Sequence, residues 1–568
     1  MRLAGLPRTL VRKARAFDSA SAASQTATPA ARPRTDPIPD PAEFPDAMLI
    51  FAVDVLPRNF AGRTASMLNK TRLFAERAGR ESIMVTLYDS SQLDDIEHEW
   101  REAGVLADGV RIASLHDFYP DDTHWSGPDV PHPFDEPGMH AIHDKEAGQY
   151  LFFDNGVHRL SKRLDYAGRL IVLDHFNDSH QRTRSDEYYP NGVTRRIVFF
   201  DLHYGVARQE ILHRRDGTVR LNIWWAVDPV TRIRSPQRVT RFDAAGRPER
   251  VLRSYDEVIH ACLDNLIGDR HAFLHCEARR IDDWVLGYRR PHVKQLFVLH
   301  NAHIRPPFDD IHRIRPVYQP LLEQRSDVDG IVFLTDAQRA EAEAHFGHND
   351  RFFVVPHAAR PATADPSIAR DPHLVVMVAR LDQQKQVDHA IDAFARVVKQ
   401  VPAARLEIYG RGVLAGALAA QIRRLGLSRN VTLAGFTANP GAVYQRAALS
   451  LLTSRYEGFG LVLLESFGHG CPAVSYDLRY GPADIITEGA SGFLVPPGDK
   501  AQLAERIVTV LKDRALQAHL SSGARADAER FSEDAFLARW AGIYNRLDHQ
   551  GWGPGPAGRS PDAEAPPA

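Results

Sequence analysis

SRYEGFGLVLLESFGHGCP, residues 454–472, is the stretch on which the reading of this chain turns. Seven residues separate Glu457 from Glu465, Gly458 and Gly460 follow the first carboxylate, and an apolar run opens at Leu461. Glycines directly before a helix let backbone N–H groups point at an anion at its N-terminus. The spacing predicts Glu457 on the loop and Glu465 a turn or more into the helix, within reach of sugar hydroxyls. A surface carboxylate followed by a solvated helix residue would not need so much glycine.

Around this segment lie short, continuously apolar runs: HLVVMVARL, ARLEIYG, NVTLAG, ALSLLTS, PAVSYD and GFLVP, beginning at His373. Such runs alternating with helix-like segments indicate a doubly wound parallel sheet, buried on both faces. The same pattern opens the chain at MLIFAVDV (48–55) and SIMVTLY (82–88), and resumes in AFLHCEA, KQLFVLH, GIVFLT and FFVVPH. Two such α/β domains enclose a cleft faced by the carboxyl ends of both sheets, where ligands bind in this architecture.

Between about 100 and 255 the rhythm changes. Runs rich in aromatic and β-branched residues, such as YLFFD, RLIVLDHF, TRRIVFFDL and VRLNIWW, are punctuated by Asn155-Gly156, Ala167-Gly168, Asn191-Gly192, Asp216-Gly217 and Ala245-Gly246. These are hairpin turns, so an antiparallel β-meander is inserted into the first α/β domain. The expected organisation is a basic tail at 1–46, a first α/β domain in two parts (47–99 and 256–362), and the inserted β-rich domain at 100–255. A second α/β domain follows at 363–550, closed by a terminal helix behind Ser532-Glu533-Asp534, and a Pro/Gly-rich tail covers 551–568.

At 568 residues the chain exceeds one hydrophobic core, and roughly 150 residues per domain gives three or four. Lys and Arg number 70 against 72 Asp and Glu, a net charge of −2 that argues against a dedicated nucleic-acid binder. Three scattered cysteines, Cys262, Cys276 and Cys471, make neither a disulfide framework nor a zinc site and suit a cytoplasmic compartment. No apolar stretch approaches the ~20 residues that span a bilayer, and none forms a signal-peptide core. The first seventeen residues hold five basic and no acidic side chains. They read as a disordered tail or a mis-assigned start, with peripheral contact to an anionic membrane surface as the alternative.

Three further constellations join the Glu-Gly segment. Arg380 lies just past a buried strand and Lys385 follows near a helix start, two fixed cations suited to a diphosphate leaving group. His300 and His303, in FVLHNAHI, stand at a strand end where an imidazole can hold a reacting sugar. Gly62 opens a helix after the first strand and permits close approach to phosphate. No GxxxxGK[ST] loop, HExxH or G-x-S-x-G motif competes, and Asp327-Val328-Asp329 reads as a strand-entry turn.

These residues carry a family likeness. The C-terminal half, with Glu457 and Glu465 as its E-x7-E motif, resembles the retaining family-4 glycosyltransferases. FAGRTASML, YEGFGLVLLESFGHGCPAVSYDLRYGPADII and the β-rich insertion make the chain most similar to poly(glycerol-phosphate) and poly(ribitol-phosphate) α-glycosyltransferases of wall teichoic acid and to accessory-secretion protein O-glycosyltransferases. The likeness covers roughly 48–545.

It implies a GT-B fold and transfer, with retention, of glucose or GlcNAc from UDP-glucose or UDP-GlcNAc to a hydroxyl of a cell-wall polyol-phosphate polymer. A Ser/Thr acceptor on a secreted protein, or a non-catalytic acceptor-binding partner, is the alternative. Arg380 and Lys385 would hold the diphosphate, Gly62, Gly458, Gly460 and Leu461 would line the donor site, and Glu465 would bind the ribose. Glu457 would meet the transferred sugar, and His303, or else His300, would contact it near the anomeric carbon. No metal and no further cofactor is implied. The insertion is expected to bind acceptor or to join copies of the chain into a homo-oligomer, and the protein to work in the cytoplasm, at most peripherally at the inner face of the membrane. Ala61 departs from relatives that carry a second glycine there.

Overall fold

The computed structural model describes residues 44–553 apart from 59–61, 89–92, 115–126, 146, 166, 231–233 and 364. Most of both expected tails, and Ala61, lie outside the described residues. The continuously apolar runs become the buried strands of two parallel sheets. The first has seven, in the order Phe352–Val354, Gly330–Phe333, Val293–Val298, Ala272–Cys276, Met48–Val53, Ser82–Thr86 and Val110–Ser114. The second has six, ordered Val431–Gly435, Arg405–Tyr409, Asp371–Val378, Ala447–Leu452, Ala473–Tyr476 and Gly492–Val495. In each sheet the strand order reverses near the middle, which leaves a crevice at the carboxyl ends. Asp329 enters its strand by accepting the Gln295 backbone N–H at 2.8 Å, the turn role expected of it.

The ten strands between His140 and Leu252 form a separate antiparallel sheet in which each strand pairs with its sequence neighbours. Five of its connections fall at the dipeptides named above. The insertion starts later than residue 100, because Val110–Ser114 pairs in parallel with Ser82–Thr86 and completes the edge of the first sheet. The last strands of the meander do not stand apart from that domain. Leu212, Leu221, Ile223, Val239 and Leu252 share one core with Val258, Ile259 and Cys262 of the helix Tyr255–Ile267. Ion pairs run across the same ladder: Arg196 bridges Glu187 and Glu210, and Arg234 joins Glu210 at 2.8 Å.

The terminal helix, Glu533–His549, is capped by Ser532, whose hydroxyl accepts the Ala535 N–H. It does not stay with the second sheet. Phe536, Leu537, Trp540, Ala541 and Tyr544 pack with Phe51, Phe74 and Phe273 on the first. Phe44 and Trp552, placed in the tails by composition, also join this face: the Phe44 ring lies 5.7 Å from Phe74, and Trp552 stacks on His271 at 4.2 Å. Aromatic burial therefore extends the fold a few residues past both expected boundaries. Among the described residues no helix is long and apolar enough to cross a membrane.

Trp540 is 1% exposed at the centre of this aromatic cluster. Trp540→Ala is expected to cost about 3–5 kcal/mol, read as a lower denaturant midpoint for the transition that exposes the N-terminal domain.

Candidate active site

Each functional segment sits on a loop at the carboxyl end of a parallel strand. The strand Ala447–Leu452 runs into 453–460 and then into the helix Leu461–Gly468, whose N-cap Gly460 adopts φ 95° without any side-chain cap. A left-handed residue there turns the chain so that the first helical N–H groups face outward from the strand end. The strand Asp371–Val378 leads into the segment carrying Arg380 and Lys385.

Hydrogen bonds stitch these two loops together. Lys385 Nζ lies 2.6 Å from Glu457 Oε1, which also accepts the Ser454 hydroxyl at 2.6 Å. Thr453 Oγ1 donates to the carbonyls of Lys385 and Gln386, and the Arg455 N–H donates to the Gln384 carbonyl at 2.8 Å. The Lys385 and Glu457 side chains are 15% and 11% exposed, so the pair is partly desolvated and held in one geometry. Glu457 Oε2 has no hydrogen-bond partner among the described residues and remains free to accept one. Arg380 is different: its guanidinium is 62% exposed and, among the described residues, is tied to Asp382 at 2.7 Å and Gln384 at 3.0 Å.

Glu465 falls in the second turn of its helix, exposed to solvent yet crowded by protein. That crowding pushes its carboxyl up to about 7, with Arg360 pulling the other way. Gly62, at φ 54°, caps the helix Arg63–Glu76 behind the first strand, and Arg63 is tied back to Asp54 at 2.7 Å.

The two halves meet here. A β-carbon at position 458 would lie 2.1 Å from the His300 carbonyl oxygen, so Gly458 lets the loop of one domain touch the strand end of the other. Beside it, Arg479 binds Glu341 at 2.7 Å and the Phe308 carbonyl at 2.7 Å, the Tyr480 hydroxyl donates to Glu341, and the Phe308 and Tyr456 rings lie 4.4 Å apart.

This junction separates the two histidines. His303 is wholly buried; its ring stacks on Tyr480 at 5.8 Å, its Nε2 has no partner among the described residues, and burial lowers its pKa to about 4. The expectation that His303 rather than His300 reaches the donor is at odds with this burial, since Tyr480 of the opposite domain covers the ring. His300 keeps 12% of its side chain exposed and donates from Nε2 to Glu277 Oε2 at 2.5 Å.

The structure thus brings Lys385, Glu457, Gly458, Gly460, Leu461 and His300 together, with Arg380 on the same loop as Lys385. Gly62 stands at the N-terminal domain's own strand ends. Reasoning from sequence missed Gly410 and Gly412, whose β-carbons would fall 1.8 Å from the Ala379 and 2.3 Å from the Leu381 carbonyl oxygens, so that only glycine lets this loop support the Arg380 segment. A Gly-Arg-Gly directly behind the strand Arg405–Tyr409 was the available signal. It also missed Arg479, Tyr480 and Glu277, which no local pattern marks.

Among the described residues no group of three or more His, Cys, Asp or Glu is placed to hold a metal ion. Residues 362–527 match the family model described as glycosyl transferases group 1. The chain is 24% identical to the poly(glycerol-phosphate) alpha-glucosyltransferase of Bacillus subtilis (strain 168) over 538 residues, 89% of this chain and 76% of that protein. It is 25% identical to a UDP-N-acetylglucosamine–peptide N-acetylglucosaminyltransferase GtfA subunit of Streptococcus gordonii, over 67% of this chain and 72% of that one. A crystal structure of S. aureus TarM with fondaparinux, alpha-GlcNAc-glycerol and UDP aligns with a TM-score of 0.74 at 20% identity, covering 88% of this chain and all of the other. With its two parallel sheets and its inserted antiparallel sheet the chain has a GT-B fold, its residues 362–527 match the group 1 glycosyl transferase model, and it is similar to polyol-phosphate and peptide glycosyltransferases.

Proposed function

We propose that this protein is a retaining glycosyltransferase that moves glucose or GlcNAc from a UDP-sugar to a hydroxyl of a polyol-phosphate polymer. One observation carries the reading: the Lys385–Glu457 pair joins two strand-end loops of the second domain, and Gly458, next to Glu457, lies against the backbone carbonyl of His300, so a cation, a carboxylate and a helix N-terminus meet the histidine-bearing strand end of the first. The polymer acceptor is supported by the likeness to the B. subtilis enzyme over 89% of this chain and 76% of that protein, and the UDP donor by the UDP in the TarM complex.

Diphosphate departure places negative charge where Lys385, Arg380 and the uncapped N–H groups after Gly460 neutralise it. Lys385 is preorganised by Glu457, and exposed Arg380 is free to swing onto the diphosphate. Glu457 Oε2 accepts a hydroxyl of the transferred sugar, Glu465 accepts the ribose hydroxyls, and Gly62 admits the phosphates to the opposite helix N-terminus. The acceptor hydroxyl attacks the anomeric carbon from the face the diphosphate leaves, and its proton passes to the departing phosphate oxygen. His300, with its partly open ring, is the histidine that meets the donor sugar.

Lys385→Ala and Glu457→Ala are each expected to lose about 10²-fold or more in transfer, assayed with radiolabelled UDP-glucose and UDP-GlcNAc against poly(glycerol-phosphate) and Ser/Thr-rich peptides. Near-native turnover in either variant refutes the assignment, and transfer to peptide alone moves the acceptor to protein.

Glu465 adds a pH dependence. Its folded value lies above the ordinary 4.5, so its contribution to stability is present below 4.5 and lost as pH rises through about 7. Donor binding runs the opposite way, because only the carboxylate accepts two hydroxyls. UDP affinity measured by calorimetry should rise with pH through about 7 and become flat in that range in Glu465→Gln.

The meander ends in an exposed strand, His140–Asp144, with Ile142 57% exposed. Such an edge supports self-association through the insertion. Ile142→Lys should reduce the mass in solution by light scattering while leaving turnover on small acceptors intact.

A further inference from the structure

Beneath His300 lies a sealed group of ionisable side chains that the proposed chemistry does not itself use. Lys70, on the helix Arg63–Glu76, is buried and paired with Glu277, which follows the strand Ala272–Cys276 and is also buried. The Lys70 ammonium is walled by the Phe51 and Trp540 rings, 4.8 Å and 5.1 Å from their centroids. Glu277 offers Oε1 to Lys70 and Oε2 to His300. His275 approaches Glu277 Oε1 at 3.8 Å and is fixed by Tyr544 at 2.8 Å, while His357 binds Ser66 at 2.7 Å and lies parallel to His300 at 5.8 Å.

A buried ion pair that serves only stability has little reason to persist, since apolar residues of the same volume do as well. This pair does something more specific. An ionised carboxylate only accepts hydrogen bonds, so the His300 nitrogen facing Glu277 must carry the proton. Lys70 already balances the one carboxylate charge, and a second cation in the same dry space would be left unpaired. His300 is therefore neutral and protonated on Nε2. Its Nδ1 is then a lone-pair acceptor, and that atom is buried with no partner among the described residues.

We propose that Glu277, held by Lys70, is a positioning residue that locks His300 in the Nε2–H tautomer and so fixes its partly exposed ring at the wall of the proposed donor site. The groups that face His300 agree. Glu277 is held far below the usual carboxylate range, burial of its own being outweighed by Lys70 and His300. Burial lowers His300, with Lys70 and Arg63 acting in the same sense and Glu277 opposing. His275 and His357 are also driven down by burial and stay neutral. The role rests on the glycosyl-transfer reading, but the tautomer is a property of the ligand-free chain.

The test uses the full chain with two charge-balanced pairs, Lys70→Met with Glu277→Gln and Lys70→Met with Glu277→Leu. The first keeps an acceptor oxygen for Nε2–H and the second removes it. Imidazole 15N signals, with His300 assigned by their loss in His300→Asn, should show Nε2–H in the wild type and the Gln pair and a mixed population in the Leu pair. Donor turnover should fall about 10²-fold in the Leu pair with KM for the donor little changed, and recover at least partly in the Gln pair. A wild-type signal from Nδ1–H, or a Leu pair with unaltered His300 signals and turnover, overturns the proposal. If the Leu pair does not fold, the wild-type signal decides alone. An Nε2–H signal in a protein that transfers no sugar would sustain the positioning role and sink the glycosyl-transfer reading.

Discussion

The absence of a side chain at position 458 governs the working geometry of this protein. Backbone meets backbone where Gly458 lies against the His300 carbonyl, and the contacts beside it form around that approach. Arg479 and Tyr480 reach Glu341, and Phe308 reaches Tyr456, because the two loops can come this close. Interdomain surfaces of this kind are commonly polar and mobile. Here the glycine sets a hard stop on one side, and the arginine, tyrosine and glutamate set a clasp on the other. The site is assembled by the encounter of two domains, neither of which holds it alone.

Much of this was legible in the sequence, for a physical reason. Strands buried on both faces of a parallel sheet must be apolar throughout, so runs such as HLVVMVARL and KQLFVLH disclose themselves. Asn-Gly and Asp-Gly likewise announce the hairpins. Among the strands that stayed hidden are Arg182–Tyr188, Ala207–His213 and Arg234–Phe242, in which charged and polar residues break the alternation. They are strands because Glu187, Arg196, Glu210 and Arg234 satisfy one another across the ladder, a pairing visible only once the register is known. The start of the insertion slipped from 140 to about 100 for a related reason: Val110–Ser114 is too short to declare which sheet it joins.

At the site, local motifs carried the loops and failed on the depth of each side chain. Glu457 and the glycines after it sit in one continuous signature behind a strand end, and Lys385 sits behind the neighbouring strand. His300 and His303 are three residues apart in one loop, and their fates diverge because Tyr480, from far along the chain, lies over the second. Lys70 and Glu277 are separated by 207 positions and share no pattern that spacing could reveal. Buried polar networks are specified by tertiary contact, which is why they escape reading from sequence.

The return of the terminal helix onto the first sheet has a consequence for biosynthesis. Phe74 and Phe51 are covered in part by Trp540 and Tyr544, so the first domain is completed by a helix that follows the whole second sheet in sequence. Its sheet ends at Val354 and its closing helix begins at Glu533, an interval that takes a ribosome roughly 10–40 s at common elongation rates. During that time an aromatic face on the nascent chain stays open to water. The second sheet is finished meanwhile, so it folds beside a neighbour whose Phe51–Phe74 face is sealed only once the helix Glu533–His549 has been made.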